Sequence, residues 1–182
     1  AAPPLLLWRR RDFRWSDHPA LSAAVASGRP IVPVFIFDSE VDVLGAAPKW
    51  RLGLGLAKHK KALANCGSRL VLRTGAPWAC RQSLIEATGA TAVYWSRLYD
   101  PSSIARDQEV KETLKSRGIE ARSFGGHLLF EPWSVETKTG GFYRVYSPMW
   151  RAVKDRDVAA PLAAPVRIAP PKNWPQSERI ED

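Results

Sequence analysis

The sequence predicts an α/β domain built on a doubly wound, Rossmann-like sheet of five parallel strands in the order 3-2-1-4-5. Short apolar runs alternate with amphipathic segments of helical length through the first 130 residues, which is typical of a parallel sheet. The run Ile31–Phe37 is apolar at almost every position, as expected for a strand covered on both faces. Right-handed crossovers that cover both faces then place the reversal of strand order between the first and fourth strands.

Glycine, proline and capping residues delimit the elements. Ser16, Asp17 and Pro19 are typical of a helix N-terminus. Pro33 lacks an N–H, so it should lie early in the second strand or where that donor is not needed. The predicted strands are 5–8, 31–37, 70–72, 91–95 and 119–124, and the predicted helices are 21–26, 49–64, 77–87 and 102–117.

The second predicted helix contains two glycines in its interior. Leu52, Leu56 and Leu63 give this helix an apolar face. Gly53 and Gly55 each cost about 1 kcal/mol of helix stability relative to alanine. That cost indicates close packing at these positions, against the sheet or against a ligand.

The sequence divides into an α/β domain at 1–130 and a segment of aromatic loops and linker at 131–182. Residues 39–48 are predicted to form an irregular loop inside the domain. In the fourth predicted helix, Ile104, Val110 and Leu114 are expected to face inward. The aromatic-rich stretch at 127–150 is interpreted as loops and turns. The proline-rich composition from Val158 onward is typical of a linker.

The chain has 182 residues, 45% of them hydrophobic, and a formal net charge of +9 at neutral pH. This length and composition suit one globular domain with a real core. The positive charge indicates an anionic partner such as nucleic acid. However, the basic residues are spread along the chain, so they fit a solvated face or contact with an acidic partner domain equally well.

Cysteine and histidine usage predicts a reduced, metal-free protein. Cys66 and Cys80 match no CxxC pattern, which favours a reducing, intracellular environment. His18, His59 and His127 show no metal-ligand spacing. No run is long enough for a membrane helix, and no signal-peptide pattern opens the sequence. We therefore expect a cytoplasmic monomer without a metal site.

Candidate binding residues follow the strands that meet at the predicted reversal point. The loop after the first strand is crowded with arginines, and the exit of the second strand carries two phenylalanines and an aspartate. An aromatic wall, an arginine and one or two carboxylates suit a planar conjugated ring with polar edges. The candidate cofactor-binding residues are Arg11, Phe35, Phe37, Asp38, Arg51 and Asp100.

Simpler roles exist for several of these side chains. At least one of Phe35 and Phe37 is expected to be an ordinary core residue of the strand. Asp100, which precedes Pro101, equally fits the N-cap of the following helix. No candidate catalytic residue stands out.

Four segments resemble the DNA photolyase and cryptochrome family. The first, from Arg10 to Leu21, matches that family's opening Arg-Arg/Lys-Asp-Leu-Arg pattern and its Pro-Ala-Leu, although Arg9 stands where Phe is usual. Trp95–Pro101 resembles its Trp-Asn-Arg-x-Tyr-x-Pro block. His127–Trp133 and Tyr143–Trp150 resemble two later blocks, with a methionine at 149 in place of an aromatic residue. The matches cover almost the whole chain and occur in the same order.

The resemblance implies the N-terminal antenna domain of a deoxyribodipyrimidine photolyase. Members of this family combine an N-terminal α/β domain that holds an antenna chromophore with a C-terminal helical domain that holds FAD and the damaged bases. This chain resembles only the first part. The full protein would use blue light and reduced FAD to split pyrimidine dimers in DNA. Its partners would be the missing FAD-binding helical domain and DNA, and the present chain alone would not be catalytic.

The resemblance favours a deazaflavin or FMN as the antenna over methenyltetrahydrofolate. Relatives that bind the folate carry an Asn-Glu pair where Ser102 and Ser103 stand here. Phe35, Arg51 and Asp100 match the pattern of relatives that bind a flavin-type chromophore between the strand ends. A second carboxylate of that pattern falls on an apolar residue, at position 98, so an empty pocket stays an alternative.

Three other functions are consistent with parts of the sequence. A cryptochrome blue-light photoreceptor shares the same N-terminal half. A stand-alone nucleotide- or flavin-binding module, of the electron-transfer-flavoprotein or universal-stress type, shares the fold. Such modules usually carry a glycine-rich phosphate loop after a strand, and this chain has none. A plain DNA-binding protein would explain the charge, but no helix-turn-helix, zinc or RNA-recognition pattern occurs.

Overall fold

Five strands form one all-parallel sheet in a computed structural model of the chain, which describes residues 2–179. The strands are β1 (Leu5–Arg9), β2 (Ile31–Phe37), β3 (Val71–Thr74), β4 (Ala92–Ser96) and β5 (Glu120–Phe124). Their order across the sheet is β3-β2-β1-β4-β5. The predicted fold class and strand order are therefore confirmed.

Helices cover both faces of this sheet. They are α1 (Pro19–Ala26), α2 (Ser39–Asp42), α3 (Ala46–Asn65), α4 (Pro77–Thr88) and α5 (Pro101–Ser116). Residues of α1 and α3 share one buried cluster with alternate positions of the strands, and residues of α4 and α5 share the other. Alternation along each strand sends successive side chains to opposite layers, so the sheet is buried on both sides.

The segment 39–48 differs from the predicted loop. Asp38 accepts hydrogen bonds from the backbone N–H groups of Glu40 and Val41, at 3.1 and 3.3 Å, and so initiates α2. Helix α3 then begins at Ala46, three residues before the predicted start. Pro48 falls in its first turn, where a missing N–H leaves no intrahelical bond unmade.

Two expectations about strand and helix interiors have different outcomes. Pro33 is aligned with a residue of β1. The pairing of β2 with β3 begins one residue later, so no residue of β3 needs a hydrogen bond from Pro33, which has no N–H.

Val110 and Leu114 are buried in α5, as expected. The expectation for Ile104 is wrong, because 51% of this residue is exposed on the outer side of the helix.

The aromatic-rich stretch contains two short helices that the sequence analysis did not predict. Residues Pro132–Ser134 form a turn of 3₁₀ helix, and Tyr146–Val153 form α6. Tyr146 and Trp150 lie one turn apart on α6 and stack with their ring centroids 6.3 Å apart. Val153 is buried, so α6 is fixed to the domain through its last turn.

The proline-rich segment after residue 157 has no helix or strand up to residue 179, yet it packs onto the domain. Ile168 is fully buried in the cluster shared with α1 and α3, and its N–H donates to the carbonyl of Cys66 at 3.0 Å. Further along, the Ser177 hydroxyl accepts from the N–H of Leu72, and the N–H of Glu178 donates to the carbonyl of the same residue. The domain boundary at 131 stays a prediction, and residues 180–182 of the predicted linker lie outside the described residues.

Within residues 2–179, no helix combines the length and the apolar character that a bilayer-crossing segment requires. The same residues contain no group of three or more histidine, cysteine, aspartate or glutamate side chains arranged to hold a metal ion.

Candidate functional site

A cavity of about 400 Å³ opens at the carboxyl ends of β1 and β2. Its walls come from the loop after β1, from the segment containing α2, and from the first half of α3. This is the carboxyl edge of the sheet, where open α/β domains bind their ligands. The cavity lies on the β2 side of the reversal between β1 and β4, and Leu98, just after β4, also lines it. The volume lies within the range of small-molecule sites, about 300–1,000 Å³.

Four of the six predicted binding residues line this cavity: Arg11, Phe35, Asp38 and Arg51. Phe37 is not a lining residue, but it lies two positions from Phe35 and therefore on the same side of the strand. The two rings meet edge to face with their centroids 5.1 Å apart. Both phenylalanines thus belong to the core cluster of that face, and Phe35 also forms part of the cavity wall.

Asp100, like Phe37, is a predicted residue that does not line the cavity. Its carboxylate accepts hydrogen bonds from the Ser102 hydroxyl at 2.8 Å and from the N–H of Ser103 at 3.0 Å. These hydrogen bonds hold the pKa of Asp100 well below its usual range. Asp100 is the N-cap of α5, which is the simpler role that the sequence also allowed.

Glu40 supplies a cavity-lining carboxylate that the sequence analysis missed. It is the second residue of α2, it lines the cavity, and it pairs with Arg106 of α5 and with Arg11, the latter at 3.8 Å. Asp38 also lines the cavity; its Oδ1 accepts two backbone N–H groups at the start of α2, while its Oδ2 accepts no hydrogen bond from the described residues. Glu40 was missed because its segment was predicted to be an irregular loop.

A glycine of α3 lies close to the aromatic wall of the cavity. The Phe13 and Phe35 rings pack with centroids 5.6 Å apart. A Cβ added at Gly55 would meet the Phe13 ring at 3.8 Å, which is contact distance, and both residues line the cavity. Gly55 therefore allows the close approach of helix and ring that its helix-weakening cost suggested. The expectation of close packing is wrong for Gly53, where an added Cβ would meet nothing within 4 Å.

A buried polar network lies behind the aromatic wall. Arg9, at the end of β1, is 1% exposed and donates from Nε to Nε2 of His59 at 3.2 Å. The Nδ1 atom of His18 accepts from the N–H of Leu21, and its Nε2 atom lies 2.7 Å from Oδ2 of Asp12 and 2.6 Å from Nη1 of Arg9. Because His59 accepts a hydrogen bond from Arg9, that contact requires the neutral imidazole of His59.

The same network lowers the pKa values of Asp12 and His59, which favours the charged form of the carboxyl and the neutral form of the imidazole. Burial opposes the ionisation of Asp12, but the hydrogen bond from His18 and the charge of Arg9 outweigh it and hold the pKa of Asp12 well below its usual range. Burial, reinforced by the charge of Arg9, lowers the pKa of His59 to about 3. The network thus holds a charged arginine and a carboxylate beneath the site while the imidazole of His59 stays neutral.

A tryptophan stacked with arginines forms another part of the cavity wall. The indole of Trp8 has the guanidinium carbon of Arg10 at 4.4 Å and that of Arg81 at 4.0 Å from its ring centroid. Arg10 is also paired with Asp107 through two hydrogen bonds of 2.8 and 2.9 Å. Asp107 further accepts from Nε1 of Trp95 at 3.1 Å, so one carboxylate fixes both neighbours of Trp8.

Comparisons with known proteins agree with this architecture. A family model described as DNA photolyase matches residues 5–167. The chain belongs to the DNA photolyase family. Among its relatives, a deoxyribodipyrimidine photo-lyase of Agrobacterium fabrum is 43% identical over 98% of this chain. Cryptochrome-2 of Arabidopsis thaliana is 36% identical over 91% of this chain.

A solved class III photolyase from Agrobacterium tumefaciens has the same fold as this photolyase-family domain. The two superpose with a TM-score of 0.95 at 42% sequence identity, over 99% of this chain. The chain spans 38% of that structure, 38% of the Agrobacterium fabrum relative and 28% of the Arabidopsis cryptochrome. It therefore corresponds to the N-terminal α/β domain of much longer proteins.

The cavity of this photolyase-family domain fits a planar conjugated ligand. Phe13 and Phe35 present an apolar wall, and the exposed arginines 11 and 51 offer donors to an anionic edge. Glu40 offers carboxylate oxygens to ring N–H groups or hydroxyls. A flavin-type ring carries all three kinds of group, so the residues present fit a chromophore of that class.

Proposed function

We propose that this chain is the antenna domain of a deoxyribodipyrimidine photolyase and holds a flavin-type chromophore in the cavity described above. The observation that carries the proposal is the combination of an aromatic wall and a cationic rim at the carboxyl edge of the sheet, in a chain of the DNA photolyase family. The chromophore would supply light absorption. The domain's own residues would bind it, orient it and exclude water.

FMN or a deazaflavin is the favoured chromophore, and methenyltetrahydrofolate is the alternative. Arg51 and Arg11 are exposed at the rim, where they would bind an anionic or carbonyl edge. Phe35 would support one face of the ring system. Glu40 takes the acceptor role first assigned to Asp100, and Asp38 keeps its role as the cap of α2. Ser102 and Ser103 bond within the first turn of α5 rather than towards a ligand.

The chemistry of repair would belong to a partner domain. FAD and the pyrimidine dimer would bind to a helical domain, so the chain alone should neither bind FAD tightly nor repair dimers in light. The exposed aromatic surface beyond β5 supports such a partner, because large apolar side chains there lack cover from residues 2–179. This surface includes Leu129, Trp133, Phe142, Tyr146 and Trp150.

A cryptochrome photoreceptor is the second candidate function. It is favoured by the 36% identity to the Arabidopsis cryptochrome over 91% of this chain. The photolyase assignment rests on the higher identity to the Agrobacterium relative over 98% of the chain. Because both classes share this domain, the chromophore pocket is proposed for either.

The net charge of +9 supports contact with DNA in the full protein. Without the partner domain, the isolated chain should bind DNA weakly and without regard to damage, and the binding should fall steeply with salt. A preference for dimer-containing DNA that survives high salt would contradict this division of roles.

Titration of the chain with FMN and with a deazaflavin, followed by ligand fluorescence, tests the pocket. Arg51→Ala should weaken binding by about 1–3 kcal/mol if the guanidinium makes a charge-assisted hydrogen bond. Gly55→Leu should abolish binding, because the new side chain would occupy the space in front of Phe13. Lys58→Ala is the matched control, since Lys58 is an exposed cation of α3 that does not line the cavity.

Binding that survives Gly55→Leu would place the ligand elsewhere on the domain. No binding of FMN, deazaflavin or methenyltetrahydrofolate by the unaltered chain would contradict the proposed antenna role. Binding of the folate alone would keep that role and replace the chromophore.

A further inference from the structure

Trp8 is the one readily oxidised side chain in the cavity wall. Of the side chains that line the cavity within residues 2–179, it is the single indole, and none is a phenol or a thiol. The other aromatic lining residues are Phe13 and Phe35, whose rings give up an electron much less readily. Trp8 is 2% exposed, so its position is fixed by packing.

Three guanidinium groups lie near this indole, the most distant being that of Arg106, whose guanidinium carbon is 5.9 Å from the ring centroid. The guanidinium carbons of Arg10 and Arg81 lie 4.4 and 4.0 Å from the Trp8 ring centroid, which is cation–π distance. Burial lowers the pKa of Arg81 to about 9, so this guanidinium is still charged at neutral pH. The carboxylate of Asp107 is bonded to Arg10 and to Trp95, whereas no carboxylate hydrogen-bonds to Arg81 among the described residues.

Arg81 is an unusual residue for a domain core. It is 1% exposed, and its Nε and Nη1 atoms have no hydrogen-bond partner among residues 2–179. Burying an incompletely bonded charge is costly, and such a group in a native structure calls for an explanation. Arg81 does not line the cavity, so direct contact with a ligand does not supply one. Its guanidinium carbon lies 4.0 Å from the ring centroid of Trp8.

Electron transfer is the reaction that this arrangement would oppose. An excited conjugated ring next to an indole can take one electron from it. Trp8 would be oxidised to its radical cation, the excited ring would be reduced by one electron, and the excitation would be lost. The new positive charge would then lie close to these guanidinium groups, and their repulsion raises the energy of that product.

We propose that the stack of Arg10, Trp8 and Arg81 protects the excited state of the chromophore by making Trp8 difficult to oxidise. This inference rests on the proposed function, because it requires a light-absorbing ring in the cavity. In this proposal Arg81 does not touch the ligand. Its positive charge acts on Trp8, which does line the cavity. An antenna depends on a long-lived excited state. Protection of that state would explain why the domain retains a buried guanidinium that lowers its folding stability.

The test is the fluorescence lifetime of FMN bound at saturation to the chain and its variants. Arg81→Met should shorten the lifetime by at least about fivefold, because removal of the cation lowers the barrier to electron transfer. Arg81→Lys keeps the charge and should preserve most of the lifetime. Adding Trp8→Phe to Arg81→Met should restore it, because the electron donor is then gone. Arg117→Gln is the control, since the guanidinium carbon of Arg117 lies 5.0 Å from the ring centroid of Trp78, an indole that does not line the cavity.

Bound FMN with an unchanged lifetime in Arg81→Met would overturn the inference and leave the pocket intact. Trp8→Phe alone gives a second test that does not depend on the folding of the Arg81 variants. It should leave the lifetime unchanged, and a marked lengthening would show that Trp8 quenches despite its cations, which also overturns the inference. Failure of the unaltered chain to bind FMN or a deazaflavin would overturn the proposed pocket and this inference together.

Discussion

Lowering the pH from about 7.5 to about 5 should destabilise this domain because of one buried imidazole. His59 accepts a hydrogen bond from Arg9, so the folded state requires its neutral form. Burial lowers its pKa to about 3, whereas an ordinary imidazole titrates near 6.5. The unfolded state therefore binds the extra proton, and the stability present above pH 6.5 is lost progressively as the pH falls towards 3.

At about pH 5, the loss of unfolding free energy is determined by the unfolded state alone. At about pH 5 the folded imidazole is still neutral, so the loss is set by protonation of the unfolded chain and amounts to about 2 kcal/mol. Asp12, the carboxylate of the same network, does not contribute there. Its folded pKa is depressed, so its stabilisation disappears only below the ordinary carboxyl pKa of 3.8.

The assay is urea unfolding of the chain and of His59→Gln at both pH values. Glutamine offers Arg9 an oxygen acceptor but takes up no proton, so the unaltered chain should lose about 2 kcal/mol more than the variant on acidification. His127→Gln is the control, and it should keep most of the pH dependence because His59 is retained. Equal losses in the unaltered chain and in His59→Gln would refute the reasoning.

Three substitutions test the packing of the domain by thermal or urea unfolding. Gly53→Ala should stabilise the domain by about 1 kcal/mol, because the position is helical and an added Cβ meets nothing within 4 Å. Ile168→Ala should destabilise it by about 2–5 kcal/mol, while Val166→Ala, at a position 90% exposed, should change little. Asp107→Asn should cost about 3 kcal/mol, because it leaves the guanidinium of Arg10 buried without a counter-charge. A loss below about 1 kcal/mol would show that this pair is well solvated.

The strand order could be predicted from the sequence because it depends on local signals. Apolar runs such as Ile31–Phe37 identify buried parallel strands, and handedness rules then leave few ways to connect them. The same rules indicated the carboxyl edge of the sheet for the cavity, although it lies at β1 and β2 rather than between β1 and β4. Four of its predicted lining residues lie at the strand ends or one helix beyond them.

Aspartates at strand ends could not be assigned from the sequence. Asp38 and Asp100 both follow strands and both precede helices, and a carboxylate there serves as a ligand or as a cap with the same local pattern. The structure shows both as caps, and only Asp38 also lines the cavity. Whether such a carboxylate caps a helix or binds a ligand depends on the position of neighbouring backbone groups, which a pattern of residue types does not reveal.

The charged contacts of the site were also beyond sequence reasoning. Glu40 and Arg106 are 66 positions apart, and Arg81 meets Trp8 only because α4 covers that face of β1. Such contacts depend on the placement of side chains between separate elements. No periodicity in the sequence predicts them.

The segment that follows residue 157 has a consequence for the solubility of the domain. β3 is the outermost strand next to β2, and an outermost strand offers unpaired backbone groups to the same strand of another molecule. Ser177 and Glu178 bond to both backbone groups of Leu72 and to the N–H of Thr74. The proline-rich segment thus occupies the strand border at which intermolecular β-pairing and aggregation would otherwise begin.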